Sequence, residues 1–267
     1  VPTSAHAEHY AKIVKEKRIL RDLIKASAEI TENAMDASED IETMLDAIEQ
    51  KVFSISQHSF SQKFVKLKDE LQGAYERMEK IHREGGNMRG VATGFSEIDN
   101  QLSGLQKSDL VVLGSRPSIG KTSLALDIAR YASLNEKDPV IIFSLEMSKE
   151  QIIDRLIGAE AQIPVWELRT GRLKKDEDFE FIQNALSKLS EAKLFIDDTP
   201  SPTILQMRSM ARRLQAESGL SLVIVDYLQL IQPRSNSENM VQQVTELSRG
   251  LKSMARDLDV PVLALSQ

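Results

Sequence analysis

The residues most able to do chemistry in this chain stand in the segment Asp109–Thr122, which ends in Gly120, Lys121 and Thr122. A lysine and a hydroxyl residue that follow a glycine at the start of a helix can bind phosphate oxygens and a magnesium ion. The apolar run Leu110–Leu113 before the loop predicts a buried strand, and apolar residues after it recur at helical spacing. Strand, tight loop and helix start together favour a nucleoside triphosphate site over an ordinary Gly-Lys-Thr turn.

The loop would hold the phosphates through its backbone N–H groups, while Lys121 contacts the β- and γ-phosphates and Thr122 ligates Mg²⁺. The predicted nucleotide-binding residues are Ser115, Arg116, Pro117, Ser118, Ile119, Gly120, Lys121 and Thr122. Ser115 departs from the strict pattern G-x-x-x-x-G-K-[ST], because it occupies the place of the first glycine and Gly114 lies one residue early. A small residue can still make the turn, so the departure changes little.

Composition limits the class of protein. The 267 residues are 41% hydrophobic and 28% charged, which suits one large globular domain and a smaller appendage. The absence of cysteine excludes disulfides and thiolate metal sites. No apolar run approaches membrane-spanning length and no secretory signal opens the chain, so we expect a cytoplasmic protein without a membrane partner. The net charge of −6 means that any nucleic-acid contact must use a local basic surface.

Residues 1–56 carry no strand signal and are predicted to form a helical hairpin. The first apolar stripe consists of Tyr10, Ile13, Leu20 and Ile24. The second consists of Ile41, Met44, Leu45, Ile48, Val52 and Ile55. The polar stretch Thr31–Asp40 would connect the two helices. Two stripes make only a small core, so we expect the hairpin to pack on something else.

Residues 57–87 are predicted to be a linker that carries an amphipathic helix over 67–83. Its apolar positions are Leu67, Leu71, Ala74, Met78 and Ile81. Such a helix must bury its apolar face on its own core domain or on a neighbouring subunit, and the residues leave both alternatives open.

From residue 88 onward the pattern alternates between strands and helices. Further strands are predicted at Val140–Leu145, Leu194–Ile196, Leu220–Val225 and Val262–Leu265, with helices at about 148–161, 176–190, 202–217 and 238–258. Short, fully apolar strands that alternate with helices predict an α/β domain with a mainly parallel sheet covered on both faces. In such sheets the reactive groups collect at the carboxyl ends of the strands.

Three polar residues follow predicted strands and are candidates for this edge. Asp226 follows four apolar residues, as an aspartate that holds Mg²⁺ does beside a phosphate loop. Glu146 could activate the water that attacks the γ-phosphorus, or it could favour the dipole of the next helix, and the local pattern does not decide. Gln267 carries a neutral donor suited to sensing a γ-phosphate. Asp197 and Asp198 are more typical of capping residues.

A series of segments in order carries a family signal: Gly90–Asp99, Gly104–Leu110, Arg116–Thr122, Phe143–Met147, Leu168–Gly171, Phe195–Pro200, Val225–Ile231 and Leu263–Gln267. Together they resemble the DnaB family of bacterial replicative DNA helicases, and the similarity continues upstream through the hairpin and the linker helix. The resemblance implies a RecA-like P-loop NTPase fold over residues 88–267. It also implies ATP-driven 5′-to-3′ unwinding by a ring hexamer around single-stranded DNA.

The resemblance further assigns Lys121 and Thr122 to phosphates and Mg²⁺, Glu146 to water activation, Asp226 to the metal and Gln267 to γ-phosphate sensing. Within the family, the hairpin belongs to the amino-terminal domain that docks primase, the linker helix packs on the adjacent subunit, and a helicase loader is a further partner.

The family's globular head should precede this chain, and its arginine finger, main DNA-contacting loops and last strands should follow it. A truncated polypeptide, an incomplete gene or an interruption such as an intein would each produce such a chain. Two alternatives remain: a RecA/RadA-type recombinase or circadian-type ATPase on the same core, and a nucleotide-binding scaffold fragment with little turnover. The hairpin and linker helix argue against the first.

Overall fold

A computed structural model describes residues 4–36, 66–83, 90–173, 176–232 and 240–267, together with positions 44, 48 and 51. The chain divides into two compact units, Val1–Arg83 and Glu84–Gln267. The first unit contains α1 (Ser4–Asp36) and α2 (Leu67–Arg83). Among the helices that the structure describes, each is too short or too polar to cross a membrane.

The predicted connection from Thr31 is wrong over its first part, because α1 continues to Asp36. The stretch from Thr31 to Asp36 is polar but contains neither glycine nor proline, and the Thr31 hydroxyl donates to the Ser27 carbonyl at 2.9 Å as a helical residue can. The rest of the connection and nearly all of the predicted second hairpin helix lie outside the described residues. Lys51, which is described, forms an ion pair with Glu29 of α1.

The apolar faces of α1 and α2 are largely exposed. In α1, Tyr10 and Ile24 are 59% and 68% exposed, although Ala26 is buried. The α2 helix has the predicted bounds, and its apolar residues Leu71 and Met78 are 55% and 67% exposed. Each helix therefore carries apolar surface that a partner could cover.

The second unit has the alternating architecture that the sequence predicts. Its elements are α3 (Ser96–Leu102), β1 (Leu110–Gly114), α4 (Lys121–Leu134), β2 (Val140–Ser144), α5 (Lys149–Ala161), α6 (Val165–Thr170), α7 (Asp176–Ser190), β3 (Leu194–Asp197), α8 (Ile204–Ser218), β4 (Leu222–Asp226), a 3-10 turn (Leu228–Leu230), α9 (Met240–Leu258) and β5 (Val262–Ser266). The short helices α3 and α6 are not predicted by the apolar pattern.

The strands form one parallel sheet in the order β1-β5-β4-β2-β3. Its register pairs Ser144 at the end of β2 with Asp226 at the end of β4. It also pairs Gly114 at the end of β1 with Ser266 at the end of β5. The residues that follow β1, β2, β4 and β5 therefore meet at one edge of the sheet, as expected.

Both faces of the sheet are covered by helices. In β4, Val223 and Val225 face a core that includes residues of α8 and α9, while Leu222 and Ile224 face a core that includes residues of α4 and α5. These four side chains are essentially fully buried. Burial on both faces explains why the strand is apolar throughout, and each such side chain contributes about 1.5–3 kcal/mol.

A largely buried carboxylate, 10% exposed, joins the helices beside the sheet. Glu160 of α5 accepts hydrogen bonds from Arg130 of α4 at 2.6 Å and from Lys188 of α7 at 2.9 Å. Burial acts to raise the pKa of Glu160, but the hydrogen bonds from Lys188 and Arg130 outweigh it and hold the pKa below its ordinary value.

Candidate nucleotide-binding site

The loop between β1 and α4 turns through two left-handed residues, Ser118 at φ 63° and Gly120 at φ 98°. A Cβ added at Gly120 would meet nothing within 4 Å, so the conformation and not crowding requires glycine there. Ser115 is not left-handed, and its N–H donates to the Ser266 carbonyl at 3.2 Å. A serine therefore fits at the position where the strict motif has its first glycine.

Asp226 contacts both residues of the Lys-Thr pair. The Thr122 hydroxyl donates to Asp226 Oδ2 at 2.6 Å, and Lys121 Nζ lies 3.8 Å from Asp226 Oδ1. The Lys121 ammonium also lies 4.7 Å from the centre of the Tyr227 ring. Neither Lys121 Nζ nor Asp226 Oδ1 has a hydrogen-bond partner among the described residues, although both atoms are buried. A buried cation is thus balanced by one carboxylate and one aromatic face.

The turn that carries Glu146 is built by the residues around it. The Ser144 hydroxyl donates to the Met147 carbonyl at 2.6 Å and accepts from the Met147 N–H at 3.3 Å. The Leu145 N–H donates to the Asp226 carbonyl at 2.7 Å, which joins this turn to the end of β4. Glu146 itself is exposed and lies on the wall of the cavity described below.

The geometry weakens the alternative in which Glu146 serves the dipole of α5. The helix begins after its N-cap, Ser148, and the free N–H of Lys149 donates to Asp198 Oδ2 at 3.0 Å. The acid in the first turn is Glu150, whose pKa is lowered chiefly by a backbone hydrogen bond. Asp198 is thus a capping residue, as expected, and Glu146 stands outside the helix.

A cavity of about 470 Å³ opens at this edge of the sheet. Of the predicted site residues, it is lined by Arg116, Pro117, Ser118, Gly120, Lys121, Thr122, Glu146 and Gln267. Ser115 and Ile119 do not line it, and the Ile119 side chain is 70% exposed. Both could contribute only through the loop backbone. Asp226 lies behind the wall, where it contacts Lys121 and Thr122.

The cavity also contains residues that sequence reasoning missed. They are Ser123, Met147, Gln151, Arg155 and Arg169. Gln151 and Arg155 are four positions apart in α5, which places them on one side of that helix and is the signal that could have found them.

Two of the missed residues are arginines. Arg155 Nη1 donates to the Ser123 hydroxyl at 3.4 Å, and its buried Nε has no partner within the described part of the chain. Arg169 of α6 pairs with Asp154 at 3.2 Å. With Arg116 and Lys121 they make a cavity wall that is rich in cations.

The oxygens at the base of the cavity suit Mg²⁺. A hydroxyl and a carboxylate are hard oxygen donors, and the buried Asp226 Oδ1 is without a hydrogen-bond partner in the described regions. No group of three or more His, Cys, Asp or Glu residues suited to a metal occurs among the described residues. A metal ion at Thr122 and Asp226 would therefore complete its coordination with phosphate and water.

Comparison with known proteins decides the family. Residues 90–267, well over half of the chain, match the model for the DnaB-like helicase C terminal domain. The chain belongs to this family. The match favours the helicase relationship over the recombinase alternative.

Relatives extend the similarity to the whole chain. The replicative DNA helicase DnaB of Geobacillus stearothermophilus is 44% identical over 268 residues, which cover 100% of this chain and 59% of that protein. The chain thus spans about three fifths of the length of that relative.

Two solved structures are also similar. One is described as a DnaB-like replicative helicase and its interactions with primase; it has a TM-score of 0.81 and 29% identity, and the match covers 100% of this chain and 61% of that one. The other is described as an ATPase domain, with a TM-score of 0.71 and 33% identity over 77% of this chain and 72% of that one. The predicted α/β fold of this family is therefore confirmed.

Proposed function

We propose that this chain is the ATP-binding and ATP-hydrolysing part of a replicative DNA helicase. The observation that carries the proposal is the convergence of Lys121, Thr122 and Asp226 at the base of a cation-rich cavity, with Glu146 on its wall. Metal-assisted phosphoryl transfer needs these groups: donors for the phosphates, oxygens for a divalent ion and a carboxylate for the attacking water.

The triphosphate would be held by the loop N–H groups and by cations. The first N–H groups of a helix such as α4 have no partner within the helix, and their dipoles favour anionic oxygens. Lys121 would turn from Asp226 toward the β- and γ-phosphates. Arg116, Arg155 and Arg169 add charge around the same cavity, and a guanidinium can bind a phosphate through two parallel hydrogen bonds.

The oxygens of Thr122 and Asp226 are the groups that would hold Mg²⁺. Bound there, the ion would neutralise charge on the phosphate oxygens during transfer. Glu146 would orient the attacking water and accept its proton, because it lines the cavity and lies before the N-cap of α5. Gln267 would donate to a γ-phosphate oxygen and so distinguish ATP from ADP.

The wider assignments follow the family. We propose residues 1–56 as the hairpin that docks primase, 57–87 as the linker, and 88–267 as the ATPase domain, in a cytoplasmic ring hexamer on single-stranded DNA that a loader assembles. The exposed apolar face of α2 supports a contact with the adjacent subunit. The primase interaction of a solved relative supports the first assignment.

Isothermal titration with Mg²⁺-ATP tests the nucleotide site. Lys121→Ala should weaken binding by about 10- to 100-fold, the loss expected when a charged hydrogen-bond donor is removed from a phosphate. Lys193→Ala is the matched control, because Lys193 is an exposed lysine that does not line the cavity. Equal affinity of the wild type and Lys121→Ala would refute the assignment.

The rate of ATP hydrolysis tests the alternative that this chain is a nucleotide-binding scaffold. This chain spans 59% of its Geobacillus relative, and we expect the arginine finger and the DNA-contacting loops in the remainder. Such a finger contributes roughly 10³–10⁵ in rate. We therefore predict that the 267-residue polypeptide binds ATP, hydrolyses it barely and does not respond to single-stranded DNA. Turnover stimulated by single-stranded DNA would mean that these residues already include the arginine finger and the DNA-contacting loops.

A further inference from the structure

The side chain of Gln229 joins two strand ends that border the proposed nucleotide site. Gln229 lies in the 3-10 turn Leu228–Leu230, directly after the strand that ends at Asp226. Its amide Nε2 donates to the Ser266 hydroxyl and to the main-chain oxygen of Gln267, both at 2.9 Å. One amide group thus contacts two consecutive residues at the end of β5.

These contacts lie beyond the last residues of β4 and β5 that pair with each other in the sheet. The register between β4 and β5 ends at Val225 and Ala264. Beyond that point the end of β5 is held on its other side, where Ser266 pairs with Gly114 and its carbonyl accepts from the phosphate loop. The Gln229 amide therefore continues the β4–β5 connection by side-chain hydrogen bonds, from the metal side of the site to Gln267.

We infer that Gln229 is a positioning residue that holds Gln267 at the cavity wall and thereby sets the preference of the site for ATP over ADP. The inference rests on the proposed γ-phosphate role of Gln267. A main-chain oxygen held at 2.9 Å restricts the position of Gln267, a residue that lines the same cavity as Lys121. Without that hydrogen bond, Gln267 becomes ordered only when the nucleotide binds. Ordering it costs free energy, so the affinity for a nucleotide that contacts Gln267 falls.

Loss of the Gln229 contact should affect ATP and not ADP, because ADP has no γ-phosphate. Gln267 can report only on a γ-phosphate, so the loss of its positioning should weaken binding of a triphosphate and leave ADP affinity unchanged. Gln229 is exposed, so its substitution should disturb the core little. A general loosening of the site would instead weaken both nucleotides alike.

The test is titration of the 267-residue protein with ADP and with a non-hydrolysable ATP analogue, both with Mg²⁺. In Gln229→Ala the preference for the triphosphate should fall about fivefold, the effect of one hydrogen bond lost from a site. Gln229→Glu should do the same, because it keeps the size of the side chain but replaces the donor with a charged acceptor that faces the main-chain oxygen of Gln267. Gln183→Ala, which removes an exposed glutamine of α7 that does not line the cavity, should change neither affinity.

Two further variants separate this inference from the proposed function. Gln267→Ala should also lower the preference, and the double variant with Gln229→Ala should lower it no further, because both act through one group. A loss in Gln267→Ala with none in Gln229→Ala would overturn the inference and leave the role of Gln267 intact. No loss in either would overturn that role as well, and equal weakening of both nucleotides in Gln229→Ala would reduce Gln229 to a structural residue.

Discussion

The Lys121–Asp226 pair makes a prediction that needs no nucleotide. Both side chains are almost fully buried, at 6% and 5% exposure, and their charges lie 3.8 Å apart. At an effective dielectric constant of about 20, two unit charges at that distance attract by roughly 4 kcal/mol. We expect most of that attraction to appear as a coupling energy in protein stability, since neither facing atom has a hydrogen-bond partner among the described residues.

Lys121→Met and Asp226→Asn each leave one buried charge without its opposite. Either substitution should lower the free energy of unfolding by about 3–5 kcal/mol. The double variant removes both charges and should be clearly more stable than the sum of the two single losses predicts. The difference, the coupling energy, should be about 3–4 kcal/mol.

The measurement is urea unfolding of the wild type, the two single variants and the double variant, followed by tryptophan fluorescence. The chain has one tryptophan, Trp166 in α6, so the signal reports on the second unit. Lys107 and Asp259 provide a matched control, because their charges are 3.9 Å apart but their side chains are 73% and 68% exposed. That pair should couple by at most about 1 kcal/mol. If the two pairs couple equally, the reasoning from burial is wrong.

Further variants test catalysis, assembly and acid stability. Glu146→Gln should leave Mg²⁺-ATP affinity nearly unchanged by titration and abolish any hydrolysis in a phosphate-release assay, because it removes a base and not a phosphate ligand. Replacing Leu71 and Met78 by Asp should shift a concentration-dependent oligomer toward monomer in sedimentation; an unchanged mass distribution would favour docking of α2 on its own chain. Glu160→Gln should lower the melting temperature at neutral pH. Since the pKa of Glu160 is lowered in the folded protein, the difference from wild type should vanish as the pH falls through that lowered value. A difference that is independent of pH would show that the ion pairs contribute nothing.

The strands and the long helices of the second unit could be predicted because their signal is local. A strand buried on both faces must be apolar at each position, as Leu222–Asp226 is before its terminal acid. The polar residues at strand ends could be predicted for a related reason. Parallel strands bring their carboxyl ends to one edge, so Glu146, Asp226 and Gln267 meet there whatever the details of the loops.

The parts that could not be predicted depend on tertiary placement. Arg169 reaches the cavity from α6, a helix too short to show an apolar period, and its position is set by the packing of α6 beside α5. Arg155 lies four residues after Gln151, a spacing that predicts one side of a helix. Only the fold shows that this side of α5 faces the loop between β1 and α4. The predicted end of α1 is wrong for a local reason. The polar composition from Thr31 predicts a connection, although a helix on the surface can also be polar.

Asp226 explains why the phosphate and metal parts of the site should not act independently. Its Oδ2 accepts from the hydroxyl of Thr122, and its Oδ1 faces the ammonium of Lys121, so one carboxylate contacts both the proposed metal ligand and the proposed phosphate ligand. Its backbone carbonyl also accepts from Leu145, at the start of the turn that presents Glu146. A phosphate that draws Lys121 outward leaves the Asp226 charge without its partner, and a divalent cation is the group best able to replace it. Nucleotide and Mg²⁺ should therefore each bind more tightly in the presence of the other, by the same factor, because coupling between two binding events is reciprocal.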